Sequence, residues 1–452
     1  MAVEASRLAG GRGQAFGAPI LDLDKTGYRQ EEYLIEGTAA SFRLAGEQSF
    51  DGQWTAEPDD GAVFRTRVVV TAPTDPDRFC GTVLVEWNNV SAGFEITLAD
   101  DVDVIEAGYA HVGVSAQYLG VHGYEDLPTG LVDWDAERYE SLSHPGDKYS
   151  YDIFAQAASL VGPARVLGGL DLMDGLSVEK VVAIGGSQSA GRLATYLNAV
   201  EPLRRVFDAV VLVTWFGSGS SLVDNAVLDL RTRPATDQIE RPKGSLLRDD
   251  LGIPVMVVNS ETEVTACLPV RRHDTETYCY WEVAGASHGN VPDMEVITAK
   301  IVRDGFQLPP PDPDASIPAT CAVGWKPVLA AALSHLEGWM RGGSPPPTQP
   351  LIDVAGDPPD LTRDELGIAT GGIRLPEVDV PRAMNTGVNG LPGMSVLNGA
   401  SVGFSDEKLR DLYADDEDYL ARFDAALDRA VGVGVLLSSS AERLRARAEA
   451  QL

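Results

Sequence analysis

The segment 181–192, VVAIGGSQSAGR, constrains the fold of this chain more than any other stretch. Its apolar residues 181–184 predict a short buried strand, and the small residues that follow predict a tight turn. Apolar residues then recur at helical spacing, at Leu193, Tyr196, Leu197 and Val200. A strand, a tight turn with a serine at its tip and a helix form the layout of a nucleophile elbow, which exposes the serine hydroxyl above a sheet.

Two serines could occupy the tip of this turn. If Ser187 is the nucleophile, Gly185 and Ser189 are the small residues two places before and after it, where strand and helix pass closely. If Ser189 is the nucleophile, Ser187 and Gly191 take those places. We favour Ser187, because the apolar run ends at Ile184 and an elbow nucleophile follows such a run by about three residues.

The length and net charge of the chain limit the classes of protein to which it can belong. The chain has 452 residues, enough for a large core with insertions or a second domain. Its net charge of −31 repels phosphate backbones and anionic membranes, so we expect neither nucleic acid nor membrane as a partner. No apolar run approaches the roughly 18 residues of a membrane span. Residues 1–17 lack the apolar core of a signal peptide, which predicts a cytoplasmic location.

The four cysteines, Cys80, Cys267, Cys279 and Cys321, are widely spaced and form no C-x-x-C pair. This spacing argues against a zinc site, and we expect no metal and no other cofactor. Free thiols are the expected state, with a Cys267–Cys279 disulfide as the alternative. The sequence does not predict the oligomeric state.

The order of apolar segments predicts an α/β fold. Strands are expected in 28–45, 62–73, 81–87, 109–117, 181–184, 209–215, 253–259 and 278–283, and helices in 96–106 and 151–167. Apolar strands separated by helical patterns favour a mostly parallel sheet with helices on both faces. Right-handed crossovers then place the carboxyl ends of the strands along one rim, where ligands bind.

The remaining segments suggest how the chain is divided. We expect residues 1–342 to form the core, with loop-like lid insertions at 118–150 and 216–250. Residues 343–452 are expected to be a C-terminal extension packed on this core, not an independent domain. The expected parts of the C-terminal third are a proline-rich stretch at 308–318, helices at 327–340 and 406–447, a linker at 344–350 and an ordered wrap at 351–403.

A serine nucleophile needs a base, and His288 is the best candidate among six histidines. It lies directly after the last predicted strand, in the segment VAGASHGN, whose small residues would let the imidazole reach over the rim. The other histidines are expected to be structural (His111, His335) or to lie on the surface or in a lid (His122, His144, His273).

The base needs an orienting acid, and two carboxylates follow the predicted strand 253–259. Glu263 is far enough past the strand to leave the sheet and turn toward the histidine, so we favour it. Glu261, nearer the strand end, is the alternative.

Acyl transfer also needs donors for an oxyanion. One should be the backbone N–H of Gln188, at the start of the elbow helix, and the second should come from the turn after the strand 81–87. The candidates in that turn are Asn88, Asn89 and Val90, and the sequence does not decide among them.

With these residues located, the chain resembles the bacterial "alpha/beta hydrolase domain" family. The matching stretches are VLVEWNNVSAG, HVGVSAQYLGV, YESLSHPGDKYSYDIF, GGSQSAGRLATYLNAV, VVNSETEV, GASHGN and GIATGGIRLPEVDVP. The resemblance implies an α/β-hydrolase fold, a serine nucleophile in G-x-S-Q-S, here Ser187, and a C-terminal part that belongs to the same unit. The motif is also similar to those of glucuronoyl esterases and tannases. The chain departs from the commonest pattern in having Ser189 in place of glycine and Glu263 in place of aspartate.

These expectations combine into a serine hydrolase that cleaves a small-molecule carboxylic ester or lactone. Ser187 would attack, His288 would carry the proton and Glu263 would orient His288. An acyltransferase with the same triad is the first alternative. A hydrolase-fold binding protein without turnover is the second.

Overall fold

The computed structural model describes residues 3–126, 128–165, 169–223, 244–306, 319–391 and 393–452. The chain forms two compact units, Met1–Val255 and Met256–Leu452. The described strands of the first unit are β1 (Glu4–Leu8), β2 (Tyr28–Leu44), β3 (Ala56–Pro73), β4 (Thr82–Trp87), β5 (Ala110–Val114), β6 (Lys180–Gly186) and β7 (Ala209–Val213). Its described α-helices are α1 (Leu23–Thr26), α2 (Val102–Glu106), α3 (Tyr118–His122), α4 (Leu131–Trp134), α5 (Ala136–Tyr139), α6 (Ser150–Val161), α7 (Gln188–Thr195) and α8 (Glu201–Arg204), and a π-helical turn (Tyr196–Val200) joins the last two.

The strands of the first unit form a sheet in the order β1-β2-β3-β5-β4-β6-β7. The pairs β5–β4, β4–β6 and β6–β7 are parallel, while β1, β2 and β3 form an antiparallel edge. Every residue of β4, β5 and β7 is buried, as expected for parallel strands covered on both faces. The predicted α/β architecture with parallel central strands is therefore confirmed, and the long β2–β3 hairpin is added to it.

The second unit begins within β8 (Val255–Ser260), which neighbours β9 (Tyr278–Val283). All residues of both strands are buried. Two small antiparallel sheets follow, formed by β10 (Val354–Ala355) with β11 (Asp360–Leu361) and by β12 (Ala383–Thr386) with β13 (Ala400–Gly403). The described helices of this unit are α9 (Val264–Cys267), α10 (Val291–Arg303), α11 (Lys326–Met340), α12 (Pro376–Asp379), α13 (Asp406–Leu412), α14 (Asp416–Gly432) and α15 (Ser438–Glu449).

Within the second unit, the segment after residue 343 is hydrogen-bonded to the segment before it. The Gly289 amide donates to the carbonyl of Leu397 at 2.9 Å, and the Cys321 amide donates to the carbonyl of Asn398 at 2.9 Å. The boundary between the two compact units falls at residue 255, so it does not coincide with the expected division at 343. The domain organisation expected from the sequence stays a prediction.

Several predicted elements differ from the structure. The helix expected over 151–167 ends at Val161. The helix expected over 96–106 is shorter, because the Ile96 amide donates to Asn89 in a β-bridge and the helix begins only at Val102, after the N-cap Asp101. The segment 118–150 is not loop-like, since it contains α3, α4 and α5. Most of the other expected insertion, residues 224–243 of 216–250, lies outside the described residues, as does the proline-rich stretch 308–318.

In the part of the chain that the structure describes, no helix combines the length and apolarity that crossing a membrane requires. All four cysteines are free thiols, so Cys267 and Cys279 form no disulfide.

Candidate active site

Ser187 alone separates the end of β6 from the start of α7. Its backbone has φ 59° and ψ −120°, a conformation that a side-chain-bearing residue adopts at a cost of about 1–3 kcal/mol. The Ser187 amide donates to the Val213 carbonyl at 2.9 Å, and the Ser187 carbonyl accepts from the Gly191 amide at 3.3 Å. Strand β7 and the first turn of α7 therefore hold the strained serine in place.

Small residues beside Ser187 allow strand and helix to approach each other. A Cβ atom placed on Gly185 would lie 3.1 Å from the Ser189 carbonyl oxygen and 3.4 Å from the Ser189 Cβ. Ser189 is fully buried in α7, and its hydroxyl has no hydrogen-bond partner among the described residues. Ser187 is partly exposed. The strained and accessible serine is thus Ser187, and Ser189 fills the close contact with Gly185.

The oxyanion turn, residues 88–90, is the segment predicted to supply an oxyanion donor. It directly follows β4, and its residue Asn89 forms a β-bridge with Ile96. The Asn88 amide donates to the Val114 carbonyl at 3.3 Å, and the Asn89 amide donates to the Ile96 carbonyl at 2.9 Å. For the Val90 amide there is no acceptor within the described ranges. The amide of Gln188 also has no acceptor within its helix, because α7 begins at that residue. Of the three turn amides, Val90 is the one left for an external acceptor.

Glu263 and His288 form a hydrogen-bonded pair in the second unit. His288 Nδ1 lies 2.6 Å from Glu263 Oε1, and the Glu263 carboxylate is fully buried. The other oxygen, Oε2, accepts from the Ser260 amide at 2.9 Å and from the Ser260 hydroxyl at 2.6 Å, which closes a capping box at the end of β8. With Nδ1 directed at the carboxylate, the remaining ring nitrogen, Nε2, is the one suited to act as a base.

The main chain of His288 is anchored as well. Its amide donates to the Thr262 hydroxyl at 3.0 Å, and its carbonyl accepts from the indole of Trp325 at 3.2 Å. Thr262 in turn donates its hydroxyl to the Gly387 carbonyl at 2.7 Å. Gly387, in the C-terminal segment, therefore supports the loop that carries Glu263. The sequence around Glu263 does not predict this contact.

The alternative acid, Glu261, belongs to a different cluster. Its buried carboxylate accepts from Arg363 Nη2 at 2.8 Å, from the Thr386 hydroxyl at 2.9 Å and from the Gly285 amide at 2.8 Å. These three donors occupy the carboxylate, which stabilises its charge and ties β8 to the C-terminal segment. The structure thus joins Glu263, and not Glu261, to His288.

His144, expected on the surface or in a lid, does not lie on the surface, and its place in a lid stays a prediction. Its side chain is buried, and burial lowers its pKa to about 4. The ring is therefore neutral at pH 7, with Nε2 donating to the Ala116 carbonyl at 2.9 Å and Nδ1 accepting from the Gly146 amide at 3.2 Å. His111 is structural as expected, with its Nε2 2.7 Å from the buried Glu86 carboxylate.

Sequence reasoning considered Asn89 only for its backbone amide, and it missed both the role of the Asn89 side chain and the residue Ser260. The Asn89 side chain donates from Nδ2 to the Gly186 carbonyl at 3.0 Å, directly before the nucleophile candidate. Ser260 holds Glu263, and the spacing S-x-x-E was a sequence signal that could have shown it. No group of histidine, cysteine and acidic side chains suited to a metal ion occurs among the residues described.

A family model described as "Alpha/beta hydrolase domain" matches residues 3–446. No curated protein matches the sequence. Among solved structures, acetyl xylan esterase from Paenibacillus sp. R4 is 11% identical over 67% of this chain and 89% of that chain, with a TM-score of 0.32. Esterase Est22 is 13% identical over 62% of this chain and 79% of that chain, with a TM-score of 0.31. Because these TM-scores and identities are low, the two structures carry no argument about activity.

Proposed function

Because this chain belongs to the alpha/beta hydrolase domain family and has the fold of that family, we propose that it is a serine hydrolase that cleaves a carboxylic ester or lactone through an acyl-enzyme. The observation that carries the proposal is the strained backbone of Ser187 at the junction of β6 and α7. Strain of this kind is kept where the surrounding structure enforces it, and it is common at nucleophile turns. The pairing of His288 with a buried glutamate supports the same conclusion.

The proposed chemistry has two halves. Ser187 Oγ attacks the carbonyl carbon while His288 Nε2 accepts the hydroxyl proton, and the tetrahedral intermediate collapses to an acyl-enzyme as His288 returns that proton to the leaving alkoxide. Water then attacks the acyl-enzyme with the same histidine as base, releasing the acid and restoring Ser187. With a lactone, the alkoxide and the acid belong to one hydroxy-acid product.

Glu263 and two backbone amides complete the proposed machinery. Glu263 holds His288 in the tautomer that leaves Nε2 unprotonated, and it stabilises the imidazolium formed during attack. The amides of Gln188 and Val90 are proposed to donate to the oxyanion of the tetrahedral intermediate. Each such donor is worth about 10²–10³ in kcat in serine hydrolases.

The proposal is tested by stopped-flow kinetics with p-nitrophenyl esters of increasing acyl length. We expect a burst of p-nitrophenol close to one equivalent per enzyme, absent in Ser187→Ala and kept in Ser189→Ala. Turnover without any serine dependence would overturn the proposal. Product analysis with an added alcohol separates hydrolysis from acyl transfer, since a new ester in place of the free acid would assign the enzyme as a transferase.

A further inference from the structure

We propose that Asn89 is a positioning residue whose side chain fixes the Val90 amide relative to the nucleophile turn. The proposal rests on the proposed serine hydrolase function and goes further, because it assigns a role to a side chain that forms no part of the triad. All the residues that carry it belong to the first unit.

Every polar group of Asn89 has a partner. Its backbone amide and carbonyl both pair with Ile96, at 2.9 and 2.8 Å. In the buried side chain, Oδ1 accepts from the Ser91 amide at 2.8 Å, which closes an Asx turn around Val90. Nδ2 donates to the Gly186 carbonyl at 3.0 Å. One half of the carboxamide therefore shapes the turn, and the other half ties the turn to β6.

The choice of acceptor matters, because the Gly186 carbonyl and the Ser187 amide are the two ends of one planar peptide group. Asn89 holds the oxygen end of this group, and the Val213 carbonyl holds the N–H end at 2.9 Å. A peptide plane held at both ends cannot rotate about its neighbouring bonds without breaking a hydrogen bond. Asn89 thus helps to enforce the strained φ of 59° at Ser187 and links it to Val90.

The rest of the turn does not depend on this hydrogen bond. Glu95 accepts from the buried Arg67 at 2.6 Å, and Glu86 accepts from the backbone amides of residues 98 and 99 at 2.6 and 3.0 Å. These anchors keep the turn folded when the Asn89 amide is replaced. Loss of the hydrogen bond from Asn89 should therefore shift the Val90 amide relative to Ser187. Both groups remain present in the variant.

Such a displacement weakens an interaction that develops mainly in the transition state. Misplacing a catalytic group by about 1 Å costs about 10²-fold in rate, whereas binding of the ground-state ester uses few of these contacts. We therefore expect Asn89→Asp to lower kcat by about 10- to 100-fold and to leave KM within about threefold. Asn89→Ala, which removes both the donor to Gly186 and the acceptor of the Asx turn without adding a charge, should give the same split.

Asn198 provides a matched control, because it uses its carboxamide in the same way. It is buried, its Nδ2 donates to the Leu246 carbonyl at 2.9 Å, and its Oδ1 accepts from the Arg248 amide at 2.9 Å. Asn198→Asp therefore breaks an equivalent hydrogen bond away from the nucleophile turn. We expect it to lower the thermal midpoint at least as much as Asn89→Asp does, with kcat close to that of the wild type.

The experiment measures kcat, KM, the thermal midpoint and the rate of fluorophosphonate labelling for the wild type and the three variants. A kcat loss confined to the Asn89 variants, with slower labelling and little change in KM, supports the proposal. Equal kcat values for Asn89→Asp and Asn198→Asp at similar thermal midpoints, or a wild-type kcat for Asn89→Ala, overturn it while leaving the hydrolase function intact. A wild type that is neither labelled nor active on esters removes the hydrolase function and this inference with it.

Discussion

The substitution Glu201→Gln should stabilise the protein at alkaline pH and have little effect at acidic pH. Glu201 begins α8, just beyond the π-helical turn 196–200 that follows α7. Its carboxylate is buried and accepts from the Phe207 amide at 3.2 Å through Oε1. Burial raises the pKa of Glu201 to about 7, and the Phe207 amide, the Tyr196 hydroxyl and the nearby charge of Arg205 offset this only in part.

The size of the effect follows from this pKa. In the unfolded chain the glutamate titrates near its ordinary pKa of 4.5, so the folded state binds the proton more tightly. A raised pKa means that this stability is fully present below pH 4.5, is lost progressively as pH rises from there, and is gone once pH has passed through about 7. Each pKa unit is worth about 1.4 kcal/mol, so the full loss is about 3 kcal/mol. A neutral glutamine keeps the acceptor for Phe207 and avoids this loss.

The assay is urea unfolding of the wild type and of Glu201→Gln between pH 5 and 8.5, with the exposed Glu47→Gln as control. We expect an advantage of Glu201→Gln of about 1 kcal/mol at pH 5, growth to about 3 kcal/mol by pH 7 with little change above it, and no such trend for Glu47→Gln. A difference that does not change with pH, or a wild type that is more stable than Glu201→Gln at pH 8, would refute the assignment of a protonated Glu201.

Three further substitutions test the roles assigned to the site. Glu263→Gln keeps the shape of the side chain but removes the charge that orients His288. The kcat for ester hydrolysis should therefore fall by about 10³–10⁴-fold. A loss below tenfold would contradict the role of Glu263 as the acid that orients His288. Glu261→Gln should lower the thermal midpoint, because it leaves Arg363 and two further donors without their charged, buried acceptor, yet the labelling rate should remain that of the wild type. Lost labelling at an unchanged midpoint would assign the catalytic acid to Glu261. Ser189→Ala removes a buried hydroxyl that has no hydrogen-bond partner among the described residues. The free energy of unfolding should therefore change by less than about 1 kcal/mol. A larger loss would show that the hydroxyl forms a hydrogen bond.

The sequence alone predicted those strands and helices whose bounds are set by the pattern of their own residues. The strand predicted over 278–283 has those bounds in the structure, because an apolar run is enclosed by polar and small residues on both sides. The elbow strand and the helix after Ser187 were also predictable, since burial of the strand and the spacing of the helix are both visible in the sequence. The Glu263–His288 pair could be expected from two loops that follow neighbouring strands.

Long-range contacts explain most of what the sequence did not reveal. The segment 118–150 reads as a loop, yet its short helices are held by distant partners. Tyr139 donates its hydroxyl to Glu32 at 2.6 Å, and Asp147 pairs with Arg192 at 2.8 Å. His144 lies in a polar stretch of sequence but is buried by the same packing.

The sequence around Glu261 and Glu263 also did not determine which of the two pairs with His288. Glu261 and Glu263 stand two residues apart after the same strand, and the sequence favoured Glu263 only on its distance from the strand end. What separates them is Arg363 and Thr386, which follow Glu261 by 102 and 125 residues and donate to its carboxylate. Likewise, which amide of the oxyanion turn is left over depends on the carbonyls of Val114 and Ile96.

The central claim, that Ser187 is an activated nucleophile, is tested most directly by intact mass after reaction with a fluorophosphonate probe. We predict one adduct on the wild type and on Ser189→Ala, and no adduct on Ser187→Ala. An adduct that persists on Ser187→Ala, or that is lost only on Ser189→Ala, would contradict it.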